Sequence, residues 1–183
     1  MTLKKVEEGI YAQEFVDNEI RNIDGIIFDC DGVLVDVSNS YDLAIQRTTT
    51  YILKEIANIS KFDPVTSKII DAFKATGGFN DEVDLTYAAI LSLAAANNLK
   101  KPGNSFVFEV IKNADHTWIK SVEKFLANSN ADITVLKKKL NYPSSHLDNI
   151  LYSIFDQIFY GPKLYFKLFK KNSKFTEQGL IEN

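Results

Sequence analysis

The sequence predicts a mostly α-helical chain holding one strand of the kind that lies inside an α/β sheet. From Tyr41 onward, apolar residues recur at helical spacing almost to the end. Before that, Gly25-Ile26-Ile27-Phe28-Asp29 is apolar on both faces, the pattern of a strand buried in a parallel sheet. No comparable second strand follows, so the expected strand lacks a sequence-local partner.

The elements are expected in this order. Residues 4–22 read as a helix, with Val6, Ile10, Phe15 and Ile20 on one side, and the strand 25–29 follows. Tyr41, Ile45, Thr48, Ile52 and Ile56 share the face of a long helix. Asp63-Pro64 reads as a cap followed by proline at the first helical position, and Gly77-Gly78 as the stop. Asn80 or Asp81 opens a helix carrying Val83, Tyr87, Ile90, Leu91 and Ala94. Lys101-Pro102-Gly103-Asn104 is a loop, and residues 105–111 fit strand or helix, with helix favoured by their surroundings. Asp115 caps a helix with Trp118, Val122 and Phe125. Ser144 or Ser145 opens the most apolar helix, with Ile150, Leu151, Ile154, Phe155 and Ile158. Gly161-Pro162 breaks it, and a lysine-rich stretch follows.

Bulk composition narrows the function classes. The 183 residues are 45% hydrophobic, enough for a real core. A net charge of -3 speaks against a general nucleic-acid binder, which carries a basic surplus. A lone cysteine, Cys30, forms no internal disulfide. No apolar run reaches membrane-spanning length and the first residues do not read as a signal peptide, so a soluble cytoplasmic protein with no membrane partner is expected.

The chemistry is concentrated in Ile26-Ile27-Phe28-Asp29-Cys30-Asp31-Gly32-Val33-Leu34-Val35-Asp36. An apolar strand delivers two carboxylates, two residues apart, at its carboxyl end, where open α/β sheets place their sites. Two acids so close repel unless a cation or a shared proton relieves them. A hard divalent ion such as magnesium takes oxygen ligands and suits the pair. A carboxylate can attack phosphorus, and a neighbouring carboxylic acid can protonate the departing alkoxide. A bare Asp-x-Asp is most often a solvated turn. The full string of apolar strand, paired acids, glycine, apolar residues and a further Asp is far more specific. Cys30, between the acids, reads as a small packed side chain.

The string FDCDGVLVD closely resembles the first signature motif of the haloacid dehalogenase superfamily. The resemblance implies that Asp29 is the nucleophile and Asp31 the general acid/base, with Asp29 and the main-chain carbonyl of Asp31 holding Mg2+. It implies phosphate chemistry rather than dehalogenation, because an alkoxide needs the proton that an acid at position 31 supplies. Residues 32–36 would form a hairpin flap before an inserted helical cap of the subfamily I kind. The chain would then divide into a first strand-loop unit of a Rossmannoid α/β core (1–37), the cap (38–160) and a return segment (161–183). The stretch from Phe73 to Thr86 also resembles a cap segment of this superfamily, which would set Lys74, backbone amides after it and, less firmly, Asn80 over a phosphate. An ordinary helix stop and capped helix start explain the same residues equally well, with Asp81 and Asp84 serving the helix dipole.

Three further parts of such a site are expected and not found after residue 36: a Ser or Thr ending a second strand, a lysine for the phosphoryl group, and an acidic pair completing the metal site. The nearest string, Asp132-Ile133-Thr134-Val135-Leu136, runs into three lysines in helical register, and Gly179 to Asn183 resembles the stretch leading to a second core strand. The expectation is a truncated core: a phosphatase for a small phosphorylated metabolite, inactive and weak in magnesium binding by itself, completed by a second polypeptide or pairing its strand in a homodimer. The alternative is a non-catalytic helical interaction module that retains the loop. The lysines at 163, 167, 170, 171 and 174 read as a solvated helix face, and His116 and His146 fit no catalytic pattern.

Overall fold

The computed structural model describes residues 3–13 and 16–181, without the side chains of residues 17, 18 and 147. It is mostly helical with a two-stranded antiparallel sheet. The chain forms two compact units, Met1–Asp36 and Val37–Asn183.

The first unit departs from expectation twice. Where a helix over 4–22 was expected, β1 (Leu3–Glu7) and β2 (Ile10–Gln13) form a hairpin, with Leu3 opposite Gln13 and Glu7 opposite Ile10. The turn rests on Gly9 at φ 80°, a conformation that favours glycine. Val6 and Ile10 are four residues apart, which suits a helix face, yet the β-forming residues around Gly9 suit a hairpin as well. Only a short helix α1 (Val16–Ile20) follows, and Phe15 of the expected helical face lies outside the described residues. The expected core strand 25–29 is not in a ladder. Among the described residues no backbone group of Gly25 to Phe28 is hydrogen-bonded, and Ile26, Ile27 and Phe28 are 71%, 100% and 60% exposed. A strand is defined by its neighbours, and nothing described here flanks this one. Its amides are therefore expected to exchange with solvent at nearly the rate of an unstructured peptide. Strong protection of Ile26 to Phe28 in a hydrogen-exchange experiment would reveal a pairing partner, such as a second copy.

The second unit is built around α4 (Glu82–Asn98). Thirteen consecutive-turn residues between Val83 and Ala96 are buried, so this helix is apolar on every side and sits inside the unit. It packs against α2 (Leu43–Tyr51), α5 (Gly103–Lys112), α6 (Ile119–Asn128) and α8 (Ile150–Phe169). Ala88, Ala89, Ala95 and Ala96 let those neighbours approach closely, while Ile45, Ile70, Phe73, Phe106 and Leu151 fill the space between helices. Two shorter α-helices, α3 (Ser67–Lys74) and α7 (Thr134–Leu140), with π-helical turns at Ser38–Asp42 and Ile52–Ile56 and a 3-10 turn at His146–Asp148, belong to the unit as well. Residues 105–111 are helical, within α5, as their surroundings suggested.

Caps explain where the helices begin. Asp81 accepts hydrogen bonds from the N–H groups of Val83 (2.8 Å) and Asp84 (3.0 Å), and so opens α4 as expected. Asp63 does not cap its own helix. The residue before a proline is driven out of the helical region, and α3 starts only at Ser67. The Asp63 carboxylate instead accepts from the Asn104 N–H (2.8 Å), in the first turn of α5. Asp115 holds a turn through the Thr117 N–H, and α6 begins only after Trp118, at φ 45°. Neither Ser144 nor Ser145 caps α8. That role falls to Asn149, 2% exposed, whose Oδ1 accepts from the Leu151 N–H (2.8 Å) and whose Nδ2 donates to the carbonyls of Leu140 and Asn141 and to Ser144 Oγ. Asn149→Ala removes a donor from the buried Leu140 carbonyl and from the Asn141 carbonyl, and uncaps the helix. It is expected to cost about 2 kcal/mol, read as a shift in the denaturant midpoint. A shift within error would mean the Asn149 network contributes nothing.

Inside α8, Gly161 leaves helical geometry (φ 72°, ψ 169°) and Pro162 has no N–H. The carbonyls just before the break thus lose their regular donors. The Leu180 N–H reaches Ile158 O (3.4 Å) and the Ile181 N–H reaches Phe159 O (3.2 Å), so the carboxyl-terminal segment is fastened where the helix is broken. Gly179 sits so close that a Cβ would collide with backbone atoms of Tyr160 and Gly161. Farther back, Gln157 Oε1 accepts from the Lys174 N–H (2.8 Å), and Lys174 Nζ donates to Tyr51 OH (2.8 Å). At the other end of the unit, Tyr41 stacks on Phe159 with ring centroids 4.8 Å apart. The start and the close of the helical unit therefore meet at the same residue, Phe159. Glu182 and Asn183 lie outside the described residues.

Candidate functional site

Residues 30–35 close a tight turn directly after the apolar segment. The Cys30 carbonyl accepts from the N–H groups of Leu34 and Val35, both at 2.9 Å, and the Gly32 N–H donates to Val35 O at 2.9 Å. Val35 thereby grips the peptide groups on both sides of Asp31, and the two residues form a bridge. Gly32 has φ 76°, which accounts for glycine immediately after the second acid. Among the described residues, the Asp31 carbonyl and carboxylate are left unengaged by this grip. Asp29 precedes the turn and Oδ1 accepts only its neighbour's N–H, from Cys30 at 2.8 Å. Both acids are exposed. Cys30 is an exposed free thiol rather than the packed side chain expected.

For a hard cation, the local donor set is one carboxylate at Asp29 and one free carbonyl at Asp31. Both are oxygen donors, which suits magnesium with water in its remaining positions. Among the described residues no cluster of three or more His, Cys, Asp or Glu is arranged to hold a metal.

Lys74 and Asn80 belong to the helical unit, whereas Asp29 and Asp31 belong to the first unit. Lys74 ends α3 with Nζ 4.0 Å from the Glu82 carboxylate. Asn80 is exposed beside Asp81, and the amides at the start of α4 are engaged by the Asp81 carboxylate. Of the carboxyl-terminal lysines, Lys174 has a specific role: its ammonium lies 4.3 Å from the Tyr51 ring centroid as well as bonding that hydroxyl.

A polar cluster in the helical unit escaped the sequence reading. His146 Nε2 lies 3.2 Å from Asp156 Oδ2, and its ring lies 4.4 Å from that of Tyr152. Asp156 is 8% exposed, and burial pushes its carboxyl up to about 6 against the opposing attraction of His146. The signal was present: an aspartate in the middle of ILYSIFDQIF must be buried, and a buried acid needs a partner. Burial also raises Tyr160, helped by Asp156, and raises Asp84, which accepts a 2.6 Å hydrogen bond from Tyr142.

The native carboxyl of Asp156 holds its proton more tightly than the unfolded one. Ionising it therefore opposes folding fully above about pH 6, and not at all below about pH 4. Asp156→Asn is expected to raise the thermal midpoint near neutral pH and leave it unchanged at about pH 4. A midpoint lowered at neutral pH would show that the His146 attraction outweighs burial.

No family model, curated protein or solved structure matches the chain.

Proposed function

We propose that the chain carries the nucleophile loop and helical cap of a magnesium-dependent phosphohydrolase of the haloacid dehalogenase kind, acting on a small phosphorylated metabolite. The observation that carries this reading is the turn at 30–35, which among the described residues leaves the Asp31 carbonyl and carboxylate unengaged, directly after the exposed Asp29 carboxylate, whose Oδ1 accepts only the Cys30 N–H, at the end of an apolar segment. A second observation supports the cap. An insert between two strands of a host sheet needs its two ends together, and those of the helical unit meet at Phe159.

In this reading Asp29 attacks phosphorus, forming an aspartyl-phosphate as the P–O bond to the alkoxide breaks. Asp31 gives its proton to that alkoxide. It then takes one from the water that attacks the same phosphorus, releasing phosphate and restoring the Asp29 carboxylate. Magnesium, held by Asp29 and the Asp31 carbonyl, would neutralise charge on the transferring group.

The exposed apolar faces of Ile26 to Phe28 fit a core completed by a second polypeptide. The test is magnesium-dependent hydrolysis of p-nitrophenyl phosphate by the chain alone and mixed with the polypeptide encoded next to it. Alone, turnover near background is expected, with magnesium binding in about the millimolar range or weaker. Robust turnover by the chain alone would show that the other groups are already present. No gain from any completing polypeptide would favour the non-catalytic interaction module.

A further inference from the structure

A cleft of about 560 Å³ opens in the helical unit between α2, α8 and the carboxyl-terminal segment. Its size lies in the range of small-molecule sites. The floor is apolar and includes Val65, 6% exposed, and Phe175, whose ring stands edge-on to Tyr51 at 5.2 Å. Around it stand two bases and two acids: Arg47 on α2 and Lys54 just beyond the end of that helix, with Glu55 and Glu177. Among the described residues none of these four charges forms an ion pair. Opposite charges that line one cleft without neutralising each other define what complements it. A simple anion meets two unpaired acids. A simple cation meets two unpaired bases, and the Tyr51 face that would attract it is already taken by Lys174. An uncharged molecule draws on none of these four exposed charges. A molecule with both charges and an apolar body answers every one.

We propose that this cleft binds a free α-amino acid with a bulky apolar side chain. Its carboxylate faces Arg47 and Lys54, its ammonium faces Glu55 and Glu177, and its side chain lies on Val65 and Phe175. The arginine fork suits a carboxylate bidentately. The carboxyl-terminal segment forms one wall, so its fastening at the α8 break also shapes the site. The proposal does not rest on the aspartate loop.

The test is a titration of the full chain followed by amide chemical shifts, with three probes: L-phenylalanine, N-acetyl-L-phenylalanine and L-phenylalaninamide. The free amino acid is expected to saturate shifts at Val65 and Phe175, and the two analogues, each lacking one charge, to bind at least about tenfold more weakly. Arg47→Ala and Glu177→Gln, both at exposed positions, are each expected to weaken L-phenylalanine about tenfold with the thermal midpoint unchanged. Asp29→Asn is expected to bind it like the parent, which separates this site from the phosphohydrolase reading. Equal binding of all three probes, undiminished binding by either cleft variant, or no saturable shift at about 20 mM would overturn the proposal.

Discussion

On the proposed phosphohydrolase reading, Asp29→Asn is expected to abolish magnesium-dependent phosphate-ester turnover of the chain together with its completing polypeptide, by about four powers of ten or more, while leaving the chain folded as before. The amide retains the shape of the carboxylate but has neither its charge for the metal nor a lone pair basic enough to attack phosphorus. Asp29 is exposed, and its one described hydrogen bond is to the adjacent Cys30 N–H, so no core contact is lost. Asp31→Asn leaves the nucleophile in place. It is expected to slow phenyl phosphate more than p-nitrophenyl phosphate, because the better leaving group needs a proton less. Parallel melting curves and steady-state rates check the pair. Turnover that survives Asp29→Asn would remove the nucleophile from this loop and end the aspartyl-phosphate mechanism.

Gly179→Val is expected to produce the largest loss of stability of any single substitution named above, about 3 kcal/mol. The new side chain would meet the backbone of Tyr160 and Gly161, which cannot rotate away as a flexible side chain would. Relieving the clash lifts the segment and breaks the hydrogen bonds from Leu180 and Ile181 to Ile158 and Phe159. Those carbonyls then face the Gly161-Pro162 break without donors. Denaturant unfolding measures the cost, and hydrogen exchange at Leu180 and Ile181 reports the release. Parent-like stability with those two amides still protected would mean that the glycine contact is not tight.

The helical unit was largely legible because helix periodicity and capping are local. Val83, Tyr87, Ile90 and Leu91 marked α4, and the pair Asn80 and Asp81 marked its start, of which Asp81 is the cap. Cross-chain features were not. Asp63 looked like a local cap because its distant partner, the Asn104 N–H, leaves no trace near residue 63. The two serines before α8 hid the better-placed Asn149 for the same reason, since its amide bridges to the end of α7. In the first unit, four-residue spacing of apolar side chains fits helix and hairpin alike, and Gly9 decided for the hairpin. The site divides similarly. The Asp29 and Asp31 pair was legible as a string, and Gly32 gave away the turn that Val35 closes. The His146 and Asp156 pair was hidden because its members lie in different elements, and only the burial of Asp156 hinted at it.

The meeting of both ends of the helical unit at Phe159 has a mechanical consequence. A body attached to its host at two distant places is braced, and one attached at two adjacent places turns about a single joint. Carrying such a body also constrains the host little, since the entropy of closing a loop depends on the gap its ends must span and grows only slowly with the residues between them. On the proposed reading, an insert held in this way can differ in length or content without disturbing its host sheet. The Tyr41 stack on one side and the Leu180 and Ile181 hydrogen bonds on the other lie within the helical unit, and together they hold its two ends at that one residue.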